Sequence, residues 1–334
     1  MKKQTFVRSV CLAMCALMLL PVLSLASCGG KKEKVLIYSS AEDYRVAHMQ
    51  QRLNEEFPQY DIKVEYKSTG DHAAQLLAEG VATKADISYE MDYGYVMQMV
   101  AKGYFADVSQ YDRTIYDEDM LIIEGTNYVP ELRNGGAIII NTEKLAELKL
   151  DKPESYEDLL DPQYKGLISM PSPKASGTGY MFLKSLVNEW GEDEAFAYFD
   201  ALAENVLSFT SSGSGPVNAL KNGEAVIGLG MTSQAVEKIK EGVPLEILYF
   251  EEGSPYSLYA QSIIKGKEER ACVKEVFDFL VNTYTKENND LFFPERIYKS
   301  GAGAVEGYPQ DIQYSDMSNN TFAEKERLLA KWKH

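Results

Sequence analysis

Three loops in this chain combine hydroxyls and glycine with a helical pattern behind them, which is a way to hold an anion. Ser39-Ser40-Ala41-Glu42 follows a short apolar run. Lys174-Ala-Ser176-Gly177-Thr178-Gly179 and Ser211-Ser212-Gly213-Ser214-Gly215 each precede a helical stretch. A helix N-terminus offers unpaired N–H groups and the positive end of a dipole. Glycine admits a ligand close to the backbone, and Ser and Thr add hydroxyl donors. Hydrogen bonds to a charged partner contribute about 1.5–3 kcal/mol each, so three or four retain a ligand at micromolar level after association costs. The same residues also cap helices and make turns, so one such loop means little and three together point to binding.

The elements that must position these loops alternate. Val35-Leu-Ile-Tyr38 reads as a buried strand, Ile62 to Tyr66 as a second, and Asp86-Ile87-Ser88 as the end of a third. Helical stretches begin near Glu42, after Ser68-Thr69-Gly70-Asp71, and at Tyr93. Gly135-Gly-Ala-Ile-Ile-Ile-Asn141 is a strongly apolar strand, and from there the rhythm restarts. Strands are expected at Gly166–Met170, Val226–Gly230, Leu245–Tyr249 and Leu258–Ile264. Helices are expected at Tyr156–Leu160, Tyr180–Trp190, Glu192–Asn205, from Ser233, at Glu268–Tyr284 and at Phe322–Trp332. Such alternation predicts an α/β fold with a largely parallel sheet. Open sheets of this kind bind ligands at strand C-termini, where the three loops lie.

The N-terminus reads as an address. Lys2, Lys3 and Arg8 precede an apolar run from Val10 to Leu25, and small residues then lead to Cys28. That is a secretory signal over 1–27, too short in its uncharged run for a membrane span. Leu25-Ala26-Ser27-Cys28 resembles a bacterial lipobox, which implies acylation of Cys28, with 28–34 as lipidated residue and tether. Acyl chains hold a soluble domain at a bilayer. Cys11 and Cys15 leave with the signal, so Cys272 has no disulfide partner.

Composition excludes several functions. The chain has 334 residues, 45% hydrophobic and 25% charged, the balance of a globular protein of about two domains. Its formal net charge is −16, a poor match for nucleic acid. His48, His72 and His334 leave little for a histidine-built metal site, and no cofactor is expected. Ser262-Ile-Ile-Lys265 fits a hydrolase Ser-x-x-Lys pattern but lies in an expected strand, without Ser-Asp-Asn or Lys-Thr-Gly partners. A surface lipoprotein hydrolase is therefore a remote alternative, and the chain is not read as an enzyme.

Several segments together resemble bacterial extracellular solute-binding lipoproteins of ABC importers, in the group that binds ferric ion, thiamine, 2-aminoethylphosphonate and hexose phosphates. The carriers are Val35-Leu-Ile-Tyr-Ser-Ser40, Ser68-Thr-Gly70, Asn134-Gly-Gly-Ala-Ile-Ile-Ile-Asn-Thr142 and Ser155-Tyr-Glu-Asp-Leu-Leu-Asp-Pro162. Met170-Pro-Ser-Pro-Lys-Ala-Ser-Gly-Thr-Gly-Tyr180 is the most specific, and Gly223-Glu-Ala-Val-Ile-Gly-Leu-Gly230 completes the set. The resemblance implies a two-lobed periplasmic-binding-protein type 2 fold closing on hinge strands, with crossings at 136–141 and 245–250. Lobe 1 would take 35–135 and 251–300, and lobe 2 would take 136–250 and 301–334. It implies an exported, membrane-anchored monomer facing the periplasm or cell exterior, with ABC permease subunits as partners. Ligand contacts would come from Ser39, Ser40, Ser68, Thr69, Glu90, Ser176, Gly177, Thr178, Ser214, Met231, Thr232 and Glu252, around a small organophosphorus anion. Asp92 is a further acid that could face a ligand amine. Ferric iron is the alternative. The tyrosine pair of iron binders is replaced here by Met231-Thr232-Ser233-Gln234, and Tyr93 and Tyr95 read as packing.

Overall fold

The computed structural model describes residues 32–121, 125–293, 297–301 and 305–334. The signal sequence and Cys28 lie outside the described residues. Nine strands form one connected sheet in the order β2-β1-β3-β9-β4-β7-β5-β6, with β8 beside β4. They are β1 (Lys34–Ser39), β2 (Asp61–Tyr66), β3 (Ile87–Asp92), β4 (Val129–Asn141), β5 (Ile168–Pro171), β6 (Val206–Thr210), β7 (Ile227–Met231), β8 (Leu245–Leu248) and β9 (Tyr256–Ile263). The α-helices are α1 (Asp43–Glu56), α2 (Thr69–Glu79), α3 (Tyr93–Ala101), α4 (Thr142–Leu148), α5 (Gly177–Trp190), α6 (Glu192–Leu202), α7 (Gly215–Lys221), α8 (Thr232–Lys240), α9 (Ala271–Phe279), α10 (Thr285–Phe292) and α11 (Phe322–Lys331).

The expected α/β class holds, but the sheet is mixed rather than largely parallel. Pairs β1–β2, β1–β3, β5–β6 and β5–β7 are parallel. Strands β4 and β9 run against all their neighbours. The reason is connectivity: β9 returns the chain beside β3 after the whole middle segment has been laid down. Strand β4 changes partners along its length, pairing with β9 up to Gly135 and with β7 and β8 from Gly136 onward. The result is two α/β lobes sharing a long strand, each with its own core. Ile37, Ile87, Tyr89 and Phe277 belong to the first core, and Ile140, Phe182, Leu229 and Trp332 to the second.

Other boundaries differ from expectation. Strand β8 lies wholly in the second sheet, so the return crossing is made by residues 249–255 after it. At the crossing, Gly136 N–H donates to Pro255 O at 2.7 Å and Ser254 Oγ donates to Gly136 O at 2.7 Å. Strand β6 was not anticipated, because it is an edge strand with half-exposed and exposed residues and no buried run. The stretch 157–160 is a single 3₁₀ turn. The helix expected at Glu268–Tyr284 starts at Ala271 and runs through a π turn at Leu280–Tyr284 into α10. Ser262 is fully buried in β9 and donates to Asn127 O at 2.7 Å, so the Ser-x-x-Lys match has no accessible nucleophile.

Candidate functional site

The anion-binding loops converge between the lobes. A cavity of about 30 Å³ is lined from lobe 1 by Ser40, Ser68, Thr69 and Glu90, and from lobe 2 by Ser176, Gly177, Thr178, Ser214 and Met231. All were expected site residues. The lobes stand close across it, a Cβ on Gly70 being 2.9 Å from Ala175 O and one on Gly177 3.2 Å from Thr69 Cγ2.

Helix α5 supplies the anion end. Ser176 caps it, its Oγ accepting from Thr178 N–H at 3.2 Å. Tyr180 N–H donates to Ser176 O at 3.0 Å, the first bond of the helix. Among the described residues no acceptor faces the N–H of Gly177 or Gly179. A Cβ on Gly179 would stand 2.3 Å from Pro171 O, so only glycine lets the helix start this close under the end of β5. Gly213 brings the neighbouring loop against Thr178 in the same way, with 2.3 Å from its would-be Cβ to Thr178 Oγ1. Ser212 and Ser214 bond to each other at 3.1 Å through their hydroxyls.

Lobe 1 presents a different chemistry. Ser40 Oγ meets His72 Nδ1 at 3.0 Å, and His72 Nε2 meets Ser88 Oγ at 3.1 Å. Burial, with Lys67 nearby, lowers the His72 pKa to about 3, so the ring is neutral and orients the Ser40 hydroxyl. A serine–histidine contact is found in hydrolases, but there the histidine leans on a carboxylate. Here Ser88 takes that place.

Glu90 forms the floor. It is buried and has φ of +56°, in the left-handed region that side chains rarely adopt. Register shifts fall between Ser88 and Met91 of β3 and between Pro130 and Leu132 of β4, on either side of their common partner Ala260 of β9, and they take in Glu90 and Glu131. Glu90 N–H donates to Glu131 Oε2 at 2.8 Å. The fully buried Arg45 of α1 binds both Glu42 and Glu90. One guanidinium thus binds two buried carboxyls, and the third, Glu131, holds the Glu90 amide. Burial drives the Glu90 pKa up to about 7, with Arg45 opposing and Glu42 reinforcing. Burial and the charge of Glu90 push Glu131 well above the carboxylate range. Glu90 Oε2 has no hydrogen-bond partner among the described residues and is a free acceptor or, protonated, a donor.

The remaining expected residues lie elsewhere. Ser39 is fully buried in β1, where its Oγ accepts from Ala41 N–H. Thr232 is buried and its hydroxyl meets Tyr249 at 3.1 Å. Glu252 lines a different cavity, with Tyr156 and Trp190. Asp92 caps α3 and pairs with Lys325 of α11 at 2.7 Å, both side chains buried. Ser68, although it lines the cleft, spends its hydroxyl on Asp71 at 2.8 Å. Tyr93 donates to Met120 O in the first core, and the ring of Tyr95 lies under Lys325 at 4.0 Å.

Glu42, Tyr66, Asn134, Gly213 and Tyr259 also line the cleft and were not expected to. Glu42 and Gly213 stood inside the loops already singled out. Asn134 and Tyr259 sit on the crossing strands, where the sequence shows only strand character. Tyr66 ends β2 and is exposed on its outer side. Burial, then Glu42 and Asp43, push the Tyr66 phenol up to about 12, and burial raises Tyr259 well above the phenol range.

Residues 82–294 match the family of bacterial extracellular solute-binding proteins. The chain belongs to that family. An uncharacterized protein of Haemophilus influenzae is 28% identical over 281 residues, spanning 80% of this chain and 78% of that one. The periplasmic binding protein AfuA from Actinobacillus pleuropneumoniae, solved with exogenous fructose-6-phosphate bound, superposes with a TM-score of 0.79. It is 25% identical and the match covers 90% of this chain and 98% of AfuA. Iron-bound HitA from Pseudomonas aeruginosa has a TM-score of 0.71 at 17% identity, over 89% of this chain and 98% of HitA. At that identity the likeness is one of fold. The solute-binding protein described here has, among its described residues, no helix long and apolar enough to cross a membrane.

Proposed function

We propose that the protein is the receptor of an ABC importer and captures a small organophosphorus anion, a sugar phosphate or phosphonate, between its lobes before delivery to permease subunits. The observation that carries this reading is the open N-terminus of α5. Ser176, Gly177 and Thr178 line the cleft with Ser40, and the Gly177 N–H makes no hydrogen bond among the described residues. Phosphoryl oxygens suit such a donor set. Across the cleft, Glu42 and Glu90 favour a ligand whose other end donates hydrogen bonds, a polyol or an amine, over bare phosphate. AfuA's fructose-6-phosphate is a ligand of that description.

Iron is the weaker reading. The phenols lining the cleft among the described residues are Tyr66 at the end of β2 and Tyr259 in β9, not the consecutive tyrosine pair of iron binders. We place lobe 1 at 35–135 with 251–300 and lobe 2 at 136–250 with 301–334, supported by the change of partners along β4. Signal cleavage before Cys28, its acylation, and a monomer at the outer face of the membrane complete the proposal.

Thermal unfolding of residues 29–334 with a ligand panel tests it. The panel holds fructose 6-phosphate, 2-aminoethylphosphonate, glycerol phosphate, inorganic phosphate, thiamine and ferric citrate. A ligand at 100 times its Kd adds about 2.7 kcal/mol. At this size that raises Tm by several degrees. The expected shift comes with an organophosphorus compound and disappears in Ser176→Ala/Thr178→Ala. A shift with ferric citrate alone sinks the phosphorus reading.

A further inference from the structure

Glu252, expected in the cleft, opens instead onto a second cavity of about 540 Å³ on lobe 2. Its aromatic lining is Tyr156 from the segment before the 3₁₀ turn, Trp190 at the end of α5 and Tyr198 of α6. The three rings meet edge to face, at 88° for Tyr156–Trp190, 87° for Tyr156–Tyr198 and 75° for Trp190–Tyr198. Their centroids are 5.2–5.8 Å apart. Trp190, less buried than the two tyrosines, is the ring most open to the cavity. The Tyr198 side chain is buried, and its hydroxyl has no hydrogen-bond partner among the described residues.

The charge around these rings is one-sided. Glu157, Glu194 and Glu252 line the cavity, and no described Lys or Arg lines it. Among the described residues none of the three is in an ion pair, although Glu192, two residues before Glu194, is held by Arg327 and Lys331. Burial raises the Glu252 pKa and Glu251 and Glu189 add repulsion, opposed by hydrogen bonds from the backbone and from the Trp190 side chain. An anion is excluded by this field, and an uncharged apolar guest leaves the carboxylates uncompensated. A hard divalent ion needs converging oxygens. No cluster of three or more His, Cys, Asp or Glu able to hold a metal occurs among the described residues. A bulky, weakly hydrated cation satisfies both the π faces and the dispersed carboxylates.

We propose that this cavity is a second binding site, separate from the inter-lobe cleft, for an organic ammonium group seated against Trp190 and Tyr198 and balanced by Glu194 and Glu252. The site does not depend on the ligand of the cleft.

Trp190 makes the test direct, because the chain has 2 tryptophans and the other, Trp332, is buried in the second core. Intrinsic fluorescence of the intact mature protein is titrated with tetramethylammonium chloride. The controls are sodium chloride at matched ionic strength, tert-butanol as an uncharged guest of similar shape, and methylguanidinium. Tetramethylammonium is expected to give a saturable change, with Kd near the millimolar range that ~4 kcal/mol provides. Glu194→Gln and Glu252→Gln should each weaken it about two- to fivefold, the size of an ion pair open to solvent, with the exposed Glu194 at the low end. Tyr198→Phe keeps the ring and removes only a hydroxyl closed to solvent, and should leave the affinity unchanged. Far-UV circular dichroism of each variant confirms folding, and Trp332→Phe confirms the reporter. An equal response to tert-butanol, a response that follows sodium chloride, or saturation by methylguanidinium alone overturns the assignment.

Discussion

The buried ionisable side chains beneath the cleft oppose one another in their response to pH. Glu90 has its pKa raised to about 7 by burial, so its protonated form belongs to the folded state. Its contribution to stability is complete below about 4.5 and is lost as pH rises through 7. His72 is the reverse. Its pKa is lowered to about 3 by burial, so its contribution is complete above about 6.5 and is lost as pH falls. Between pH 4.5 and 6.5 the two slopes partly cancel. Glu131, also raised, adds to the slope of Glu90, so urea midpoints measured across this range should rise with acidification in the natural protein. The rise should be shallower in Glu90→Gln and steeper in His72→Gln. Parallel curves for all three proteins would mean that neither group titrates where its surroundings place it. The two positions also differ in how they could be found. Glu90 was among the acids offered from the sequence, because it follows a strand near the loops. Its pairing with Arg45 and Glu131 was not legible, since those contacts join residues far apart in the chain.

At the scale of elements, local chemistry was the most readable part. Ser176, Gly177, Thr178 and Gly179 announce a capped helix start, and α5 begins there. Ser68 and Thr142 likewise stand at helix starts, although Asn141 rather than Thr142 is the residue that caps α4. Strand order and direction were not readable, because the antiparallel β4 and β9 carry the same apolar pattern as parallel neighbours. Edge strand β6 escaped for the opposite reason, having no apolar run. The start of α5 can be probed by adding a methyl group. Gly179→Ala forces Pro171 O away and should cost about 1–3 kcal/mol, the usual range for overpacking. Denaturant unfolding reads that loss, and ligand affinity should fall with it because the Gly177 N–H moves. A stable Gly179→Ala protein would show that the strand end yields easily.

On the scale of the whole molecule, closure rests on two contacts at the rim of the cleft, beside Gly177 and beside Thr69 and Ser176. Lys325 of α11 pairs with Asp92 at 2.7 Å and lies over Tyr95 at 4.0 Å and Tyr180 at 4.6 Å, joining the lobes in a dry contact. Lys325→Met keeps the length and strands Asp92, and breaking such a pair typically costs about 3–5 kcal/mol. Gly70 approaches the other lobe so closely that its would-be Cβ lies 2.9 Å from Ala175 O. Gly70→Ala should prop the lobes apart with little effect on either core. Small-angle scattering should then give a larger radius of gyration without ligand and weaker ligand binding, while an unchanged radius would show that the loop at Ala175 gives way. The long shared strand has a consequence of another kind. Strand β9 fills the gap between β3 and β4, and its partner in β3 was synthesised far earlier, as the pairing of Ser88 with Ser262 records. Until β9 arrives, lobe 1 carries two apolar strand edges open to any passing chain, while the strands of lobe 2 find each other over shorter separations. A nascent or nicked chain lacking residues beyond about 255 would therefore be a sticky half-sheet rather than a smaller receptor, and a natural client for a holding chaperone on its way out of the cell.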